Sequence, residues 1–144
     1  MAASNDAYNL QRFVIAQDHV YGQVLTELRA GRKQSHWIWF IFPQLKGLGS
    51  SAMANEYGIG SREEAEAYLK HAILGPRLRE CTQLINAIEG RPLKLILGYP
   101  DDLKFRSSMT LFALVAADDD LFQSALQKYC EGEMDHWTVQ RLKP

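Results

Sequence analysis

The chain has 144 residues, 47% hydrophobic and 23% charged, with a formal net charge of −1. That size fits one ordinary domain able to bury most of its apolar surface, and that balance excludes a disordered chain and gives no overall pull toward nucleic acid. The longest apolar run, residues 111–117, falls far short of the ~20 residues that cross a bilayer, so no membrane partner is expected.

The apolar positions Leu10, Phe13, Val14, Val20, Val24, Leu25 and Leu28 recur at helical spacing. Asp18 can cap a fresh helix and split this region in two, and Gly31 is a natural stop. Residues 37–42 have strand-like composition but no evident partner strand, so the stretch from Ser35 to Ser51 reads as one long loop. Ser61 followed by Glu64 is a capping-box pattern that starts a helix running to about His71. Gly75-Pro76 opens the next helix, with Leu78, Cys81, Leu84, Ile85 and Ile88 as its buried stripe and Gly90 as its end. On it, Arg77 and Arg79 are expected to face solvent or to pair with Glu80 and Glu89. A short helix over 92–97 stops at Gly98, and Ser107 or Ser108 is expected to cap a helix through Ala117. Asp118 to Asp120 cap another helix through Glu131, and Asp135 caps a last one to Leu142. The prediction is an all-α fold, a compact multihelical bundle of about seven or eight short helices, with residues 1–144 forming one domain and 1–6 flexible.

Cys81 and Cys130 are the only cysteines, too few for a disulfide framework. A reduced, cytoplasmic protein is therefore expected. The start of the chain lacks the basic and apolar regions of a signal peptide. The four histidines are scattered, no metal-ligand spacing occurs, and no cofactor is expected. Cys81 sits on an apolar stripe, which disfavours a nucleophile.

Two segments stand apart. Residues 28–55 contain no Asp or Glu, yet carry Arg29, Arg32, Lys33, His36 and Lys46 around the aromatic run Trp37, Trp39, Phe40 and Phe42. Aromatic faces stack planar groups, cations hold phosphates, and Gln44 can read a ring edge with paired donor and acceptor. The competing reading is that most of these aromatics are core. The second segment runs through Asp101, Asp102, Lys104, Phe105, Arg106, Ser107, Ser108 and Thr110. Two serines before an apolar helical run suggest a helix N-terminus whose free N–H groups attract anions, with Lys104 and Arg106 beside it. The competing reading is a surface ion network in which Asp101 and Asp102 neutralise those cations. The glycine-rich turn of a P-loop is absent.

At these segments the chain becomes familiar. Asn9 to Phe13, Ser35 to Gln44, Leu74 to Leu78 and Asp101 to Phe112 resemble, motif by motif, a family of small bacterial proteins of unknown function, sometimes labelled "calpastatin". The resemblance spans about Tyr8 to Leu142 and implies a compact multihelical fold; it brings no established activity. Eukaryotic calpain inhibitors are long disordered chains, and this sequence reads as globular, so the label does not fit.

The functional expectation is a cleft where the loop with Lys33, His36, Trp37, Trp39 and Gln44 meets the segment with Lys104, Arg106, Ser107, Ser108 and Thr110, binding a small anionic ligand, nucleotide- or phosphate-containing. Trp39 would stack on its planar part, and His36 or Asp102 would handle a proton. Arg106→Ala is then expected to weaken binding by more than about one kcal/mol. The alternative is a protein-interaction or regulatory module using the aromatic patch 37–42. A nucleic-acid partner is disfavoured by the neutral charge and the missing motif. Oligomeric state is left open.

Overall fold

In a computed structural model describing residues 6–116 and 119–142, ten helices follow one another. They are α1 (Gln11–Asp18), α2 (Tyr21–Ala30), α3 (Ile38–Ile41), α4 (Ala52–Glu56), α5 (Arg62–Lys70), α6 (Leu74–Asn86), α7 (Leu93–Leu97), α8 (Asp101–Val115), α9 (Asp120–Cys130) and α10 (His136–Leu142). The count exceeds seven or eight because the supposed long loop hides α3 and α4. Each is only one turn long, too short for periodicity to reveal. Within residues 37–42, whose composition is strand-like and which read as part of a loop, Ile38–Ile41 form α3 instead, and its bulky side chains are satisfied by burial. The described residues contain no strand beyond a single parallel bridge between Leu45 and Ile59.

Most predicted boundaries hold for physical reasons visible in the sequence. Gly31 adopts φ 75°, a left-handed conformation that suits glycine, and closes α2 as Arg32 N donates to Glu27 O at 3.0 Å. Ser61 Oγ accepts from Glu64 N at 3.1 Å; the Glu64 carboxylate goes to Gly60 N and Arg12 rather than back to Ser61. Asp119 and Asp135 cap α9 and α10, accepting from Leu121 N and Thr138 N. Asp118 and residues 1–5 lie outside the described residues, whereas Asp6, expected in a flexible tail, accepts from Leu10 N and Gln11 N at the start of α1. The α6 helix ends at Asn86, ahead of Gly90.

The long α8 is the central element, packed against α3, α5, α7, α9 and α10. Its buried Phe105, Met109, Leu111 and Phe112 join Phe13, Trp37, Phe42, Tyr68 and Phe122 in one aromatic-rich core. Edge-to-face pairs such as Phe42–Phe105, with centroids 4.9 Å apart, fix α3 against α8. The arginines of α6 reach further than expected. Arg77 pairs with Asp18 at 2.9 Å and Arg79 with Asp119 at 3.0 Å, while Glu80 accepts from Tyr21 and Glu89 from Lys128. Each arginine thus ties α6 to another helix instead of bridging neighbours along its own.

Cys81 and Cys130 are free thiols, and burial pushes the Cys81 thiol up to about 12 despite its contact with the Tyr21 hydroxyl. No helix among the described residues is long and apolar enough to cross a membrane.

Candidate functional site

The two cationic segments come together because Lys33 ties the loop after α2 to α7 and to the first turn of α8, while a backbone bridge holds the far end of the loop against the segment before α5. Lys33 N donates to Ile96 O at 2.7 Å, and Lys33 Nζ pairs with Asp101 Oδ2 at 2.8 Å with both side chains largely buried. Lys33 Nζ also lies 5.2 Å above the Trp37 ring. Further along, Ile59 N donates to Gln44 O at 2.9 Å and Lys46 N to Ile59 O at 2.8 Å. That bridge needs Gly58, since a Cβ there would sit 2.6 Å from Lys46 Cα. The chain from Lys33 to Lys46 is held at both ends.

Between this loop, α8 and the start of α10 lies a cleft of about 290 Å³, lined by Gln44, Leu48, Gly49, Pro100, Leu103, Lys104, Ser107, Asp135 and Trp137. Positions 100, 103, 104 and 107 repeat at i, i+3, i+4, i+7, one face of a helix. Lys104 is half-buried, and its Nζ lies 3.6 Å from Asp101 Oδ1, which leaves donors for a ligand. Asp135 is tied by one oxygen to Thr138 N and Oγ1 at 2.9 and 2.6 Å. Trp137 is 62% exposed at the mouth.

Of the residues singled out from sequence, Gln44, Lys104 and Ser107 line this cleft. Trp39 borders a small slot that also touches Gln44 and Lys104. The others do not line it. Trp37 is fully buried and donates its Nε1–H to Glu27 Oε1 at 2.9 Å, so no ligand can stack on it. Lys33 is spent on Asp101. Arg106 stands two residues from Lys104, about 200° round the helix, and faces α9, where it opposes the rise that burial imposes on the Cys130 thiol. Ser108 and Thr110 are buried. Thr110 Oγ1 donates to Arg106 O and accepts from Asp135 N, anchoring the α10 cap. His36 is exposed on the loop before α3, and Asp102 accepts from Leu103 N in the first turn of α8.

Two expectations are corrected. Ser107 and Ser108 do not begin a helix. The α8 helix starts at Asp101, after Pro100, with two acids in its first turn as the helix dipole favours, so the amides near the serines bond within the helix. The aromatic run 37–42 is not a surface patch. Trp37, Ile38, Phe40, Ile41 and Phe42 are each at most 6% exposed because α3 is wedged between α1 and α8.

Sequence reasoning missed Glu27, whose carboxylate organises the loop. It accepts from Gln34 N, Ser35 N, Ser35 Oγ, Trp37 Nε1 and Gln23 Nε2 at 2.6–3.0 Å. Burial works to raise its pKa, but the bonds from Ser35, Gln34 and Gln23 outweigh it and hold the group at about 2. An acid on the otherwise apolar face of α2, beside Leu28, was the available signal. Asp135 and Trp137 were missed because α10 joins the cleft only through tertiary packing.

Ser108 Oγ is buried with no hydrogen-bond partner. Ser108→Ala is therefore expected to leave stability unchanged or raise it by up to about 1 kcal/mol, read from urea midpoints at constant m-value. A loss above about 1 kcal/mol would mean the hydroxyl has a partner.

Residues 7–142 match a family described as "Protein of unknown function (DUF1810)". Comparison with curated proteins gave no match. Among solved structures, the crystal structure at 1.38 Å of the conserved hypothetical protein Rv1873 from Mycobacterium tuberculosis aligns with a TM-score of 0.94 and 56% identity, covering 95% of this chain and 98% of that chain. Neither match carries the calpastatin label. The chain belongs to the DUF1810 family of proteins of unknown function.

Proposed function

We propose that this protein binds a small anionic ligand in the cleft between the loop at Gln44–Gly49, α8 and α10. The observation that carries this reading is the convergence of Gln44, Lys104 and Ser107, from segments some 60 positions apart, on one concave site beside the exposed ring of Trp137. Lys104 supplies the charge, Gln44 and Ser107 direct hydrogen bonds, and Trp137 takes over the stacking role first assigned to Trp39. Two wider grooves are weaker candidates. One of about 470 Å³ holds Arg79 already paired with Asp119 and an exposed Lys70 beside Glu66, and one of about 430 Å³ offers Arg29 and Arg91 exposed to water, where a single ion pair is worth little.

The test is a thermal-shift screen against nucleotides, sugar phosphates and small carboxylic acids. A ligand at 100 times its Kd stabilises the native state by about 2.7 kcal/mol, a shift of several degrees here. Lys104→Ala should weaken a true hit more than about tenfold, since a charge-assisted bond contributes ~1.5–3 kcal/mol. Arg106→Ala should change it less than about threefold, because Arg106 faces away. A hit lost with Arg106→Ala and kept with Lys104→Ala would refute the cleft as the site.

A further inference from the structure

The three tryptophans differ in how their indole N–H groups are used. Trp37 Nε1 donates to Glu27, and Trp137 is exposed. Trp39 Nε1 is buried and has no partner in the protein. Leaving such a donor unpaired is costly, and buried donors almost always find an acceptor. Trp39 borders a slot of about 10 Å³ enclosed by Phe42, Ala54, Tyr57 and Gly58, with Gln44 and Lys104 on the side shared with the cleft. That volume is about one water-sized sphere, room for a single oxygen atom.

The charges nearby are as selective as the size. Lys104 is the cation lining the cleft, Asp101 lies 3.6 Å from its ammonium, and Asp135 lines the same cleft. Asp101 is neutralised by Lys33 at 2.8 Å, which leaves Lys104 against Asp135 with no surplus cation, so a second negative charge on the ligand would meet only repulsion. A phosphate monoester brings nearly two negative charges and a tetrahedral cluster of oxygens. A carboxylate is planar and singly charged.

We infer that the ligand's anionic group is a carboxylate, one oxygen entering the slot to accept the Trp39 indole N–H while the other meets Lys104 and Ser107 in the cleft. This rests on the cleft being a ligand site, and it narrows the ligand from phosphorylated metabolites to small carboxylic acids. Trp39 is then a recognition residue through its nitrogen, not its ring face.

Indole N–H signals in a proton–nitrogen correlation spectrum of the full chain read this directly, with Trp39→Phe assigning the Trp39 signal and keeping most of the ring volume. Sodium acetate and inorganic phosphate are titrated separately at constant ionic strength. The expected result is a saturable downfield shift of the Trp39 indole proton with acetate and none with phosphate. Acetate binding should weaken about tenfold or more in both Trp39→Phe and Lys104→Ala. If phosphate moves the Trp39 indole as strongly as acetate, or if the Lys104 and Ser107 amides respond to an anion while the indole stays still, the carboxylate assignment is overturned and the anion cleft survives. Unchanged acetate affinity in Trp39→Phe overturns it as well. If neither anion moves any cleft signal, both readings fall.

Discussion

Glu27→Ala is expected to lower the stability of this protein by about 4 kcal/mol, the range for stripping a buried charged acceptor from its donors. For a chain of this size that is roughly 12 °C in Tm. Five donors converge on a carboxylate that is 3% exposed, and four of them belong to Gln34, Ser35 and Trp37, at the entry to the loop that carries Gln44. Without the carboxylate the Trp37 Nε1–H stays buried and unpaired, the part-buried donors of Gln34 and Ser35 lose their acceptor, and Trp37 loses the bond that orients it in the core. Glu27→Gln, which keeps an acceptor but not the charge, should cost about 2 kcal/mol. The same group sets an acid limit. Its folded pKa, about 2, lies below the ordinary glutamate value of 4.5. Its contribution is therefore fully present above pH 4.5 and is lost as pH falls toward 2. The shift corresponds to about 3 kcal/mol. Denaturant titrations at pH 7 and pH 3 check both statements, since Glu27→Gln should flatten the acid side of the profile. A loss under 1 kcal/mol for Glu27→Ala would show that the loop holds its shape without Glu27.

Arg12→Ala should cost about 3 kcal/mol, through a different device. The Arg12 guanidinium donates to the carbonyls of Tyr8, Asn9, Glu56 and Gly58 and to Glu64 Oε2, all at 2.7–3.0 Å. One side chain thus joins the start of α1, the end of α4 and the N-terminus of α5, and Glu64 is left buried without its cation when it goes. Arg12→Lys should recover less than half of the loss, because a single ammonium cannot reach carbonyls on three segments. Chemical denaturation of the two variants side by side checks this. A lysine variant as stable as the wild type would mean that charge alone matters at this position.

Both residues show what was legible in the chain. Arg12 reads as a structural ion-pair former because it sits one turn from Tyr8 at a helix start, yet its partner Glu64 is 52 positions away. The caps, Gly31, Ser61, Asp119 and Asp135, are local chemistry and could be read directly. The one-turn helices α3 and α4 could not, since they complete no hydrophobic period. The candidate site was legible in half. Aromatic and cationic composition pointed to two segments that line one cleft, where Gln44, Lys104 and Ser107 meet. Reading the second segment as a linear string hid its helical face, so Arg106, Ser108 and Thr110 were grouped with residues that point elsewhere. Counting from Pro100 in steps of three and four separates them. Nothing local could have brought in Asp135 and Trp137.

The most direct test of the cleft is a map of backbone amide shifts in the isotopically labelled protein as the tightest-binding acid from the screen is added. The prediction is saturable perturbation confined to residues 44–49, 100–107 and 135–137, with saturation moved to about tenfold or more higher concentration by Lys104→Ala. Perturbation centred instead on residues 28–31 and 84–91, the groove of Arg29 and Arg91, would contradict it.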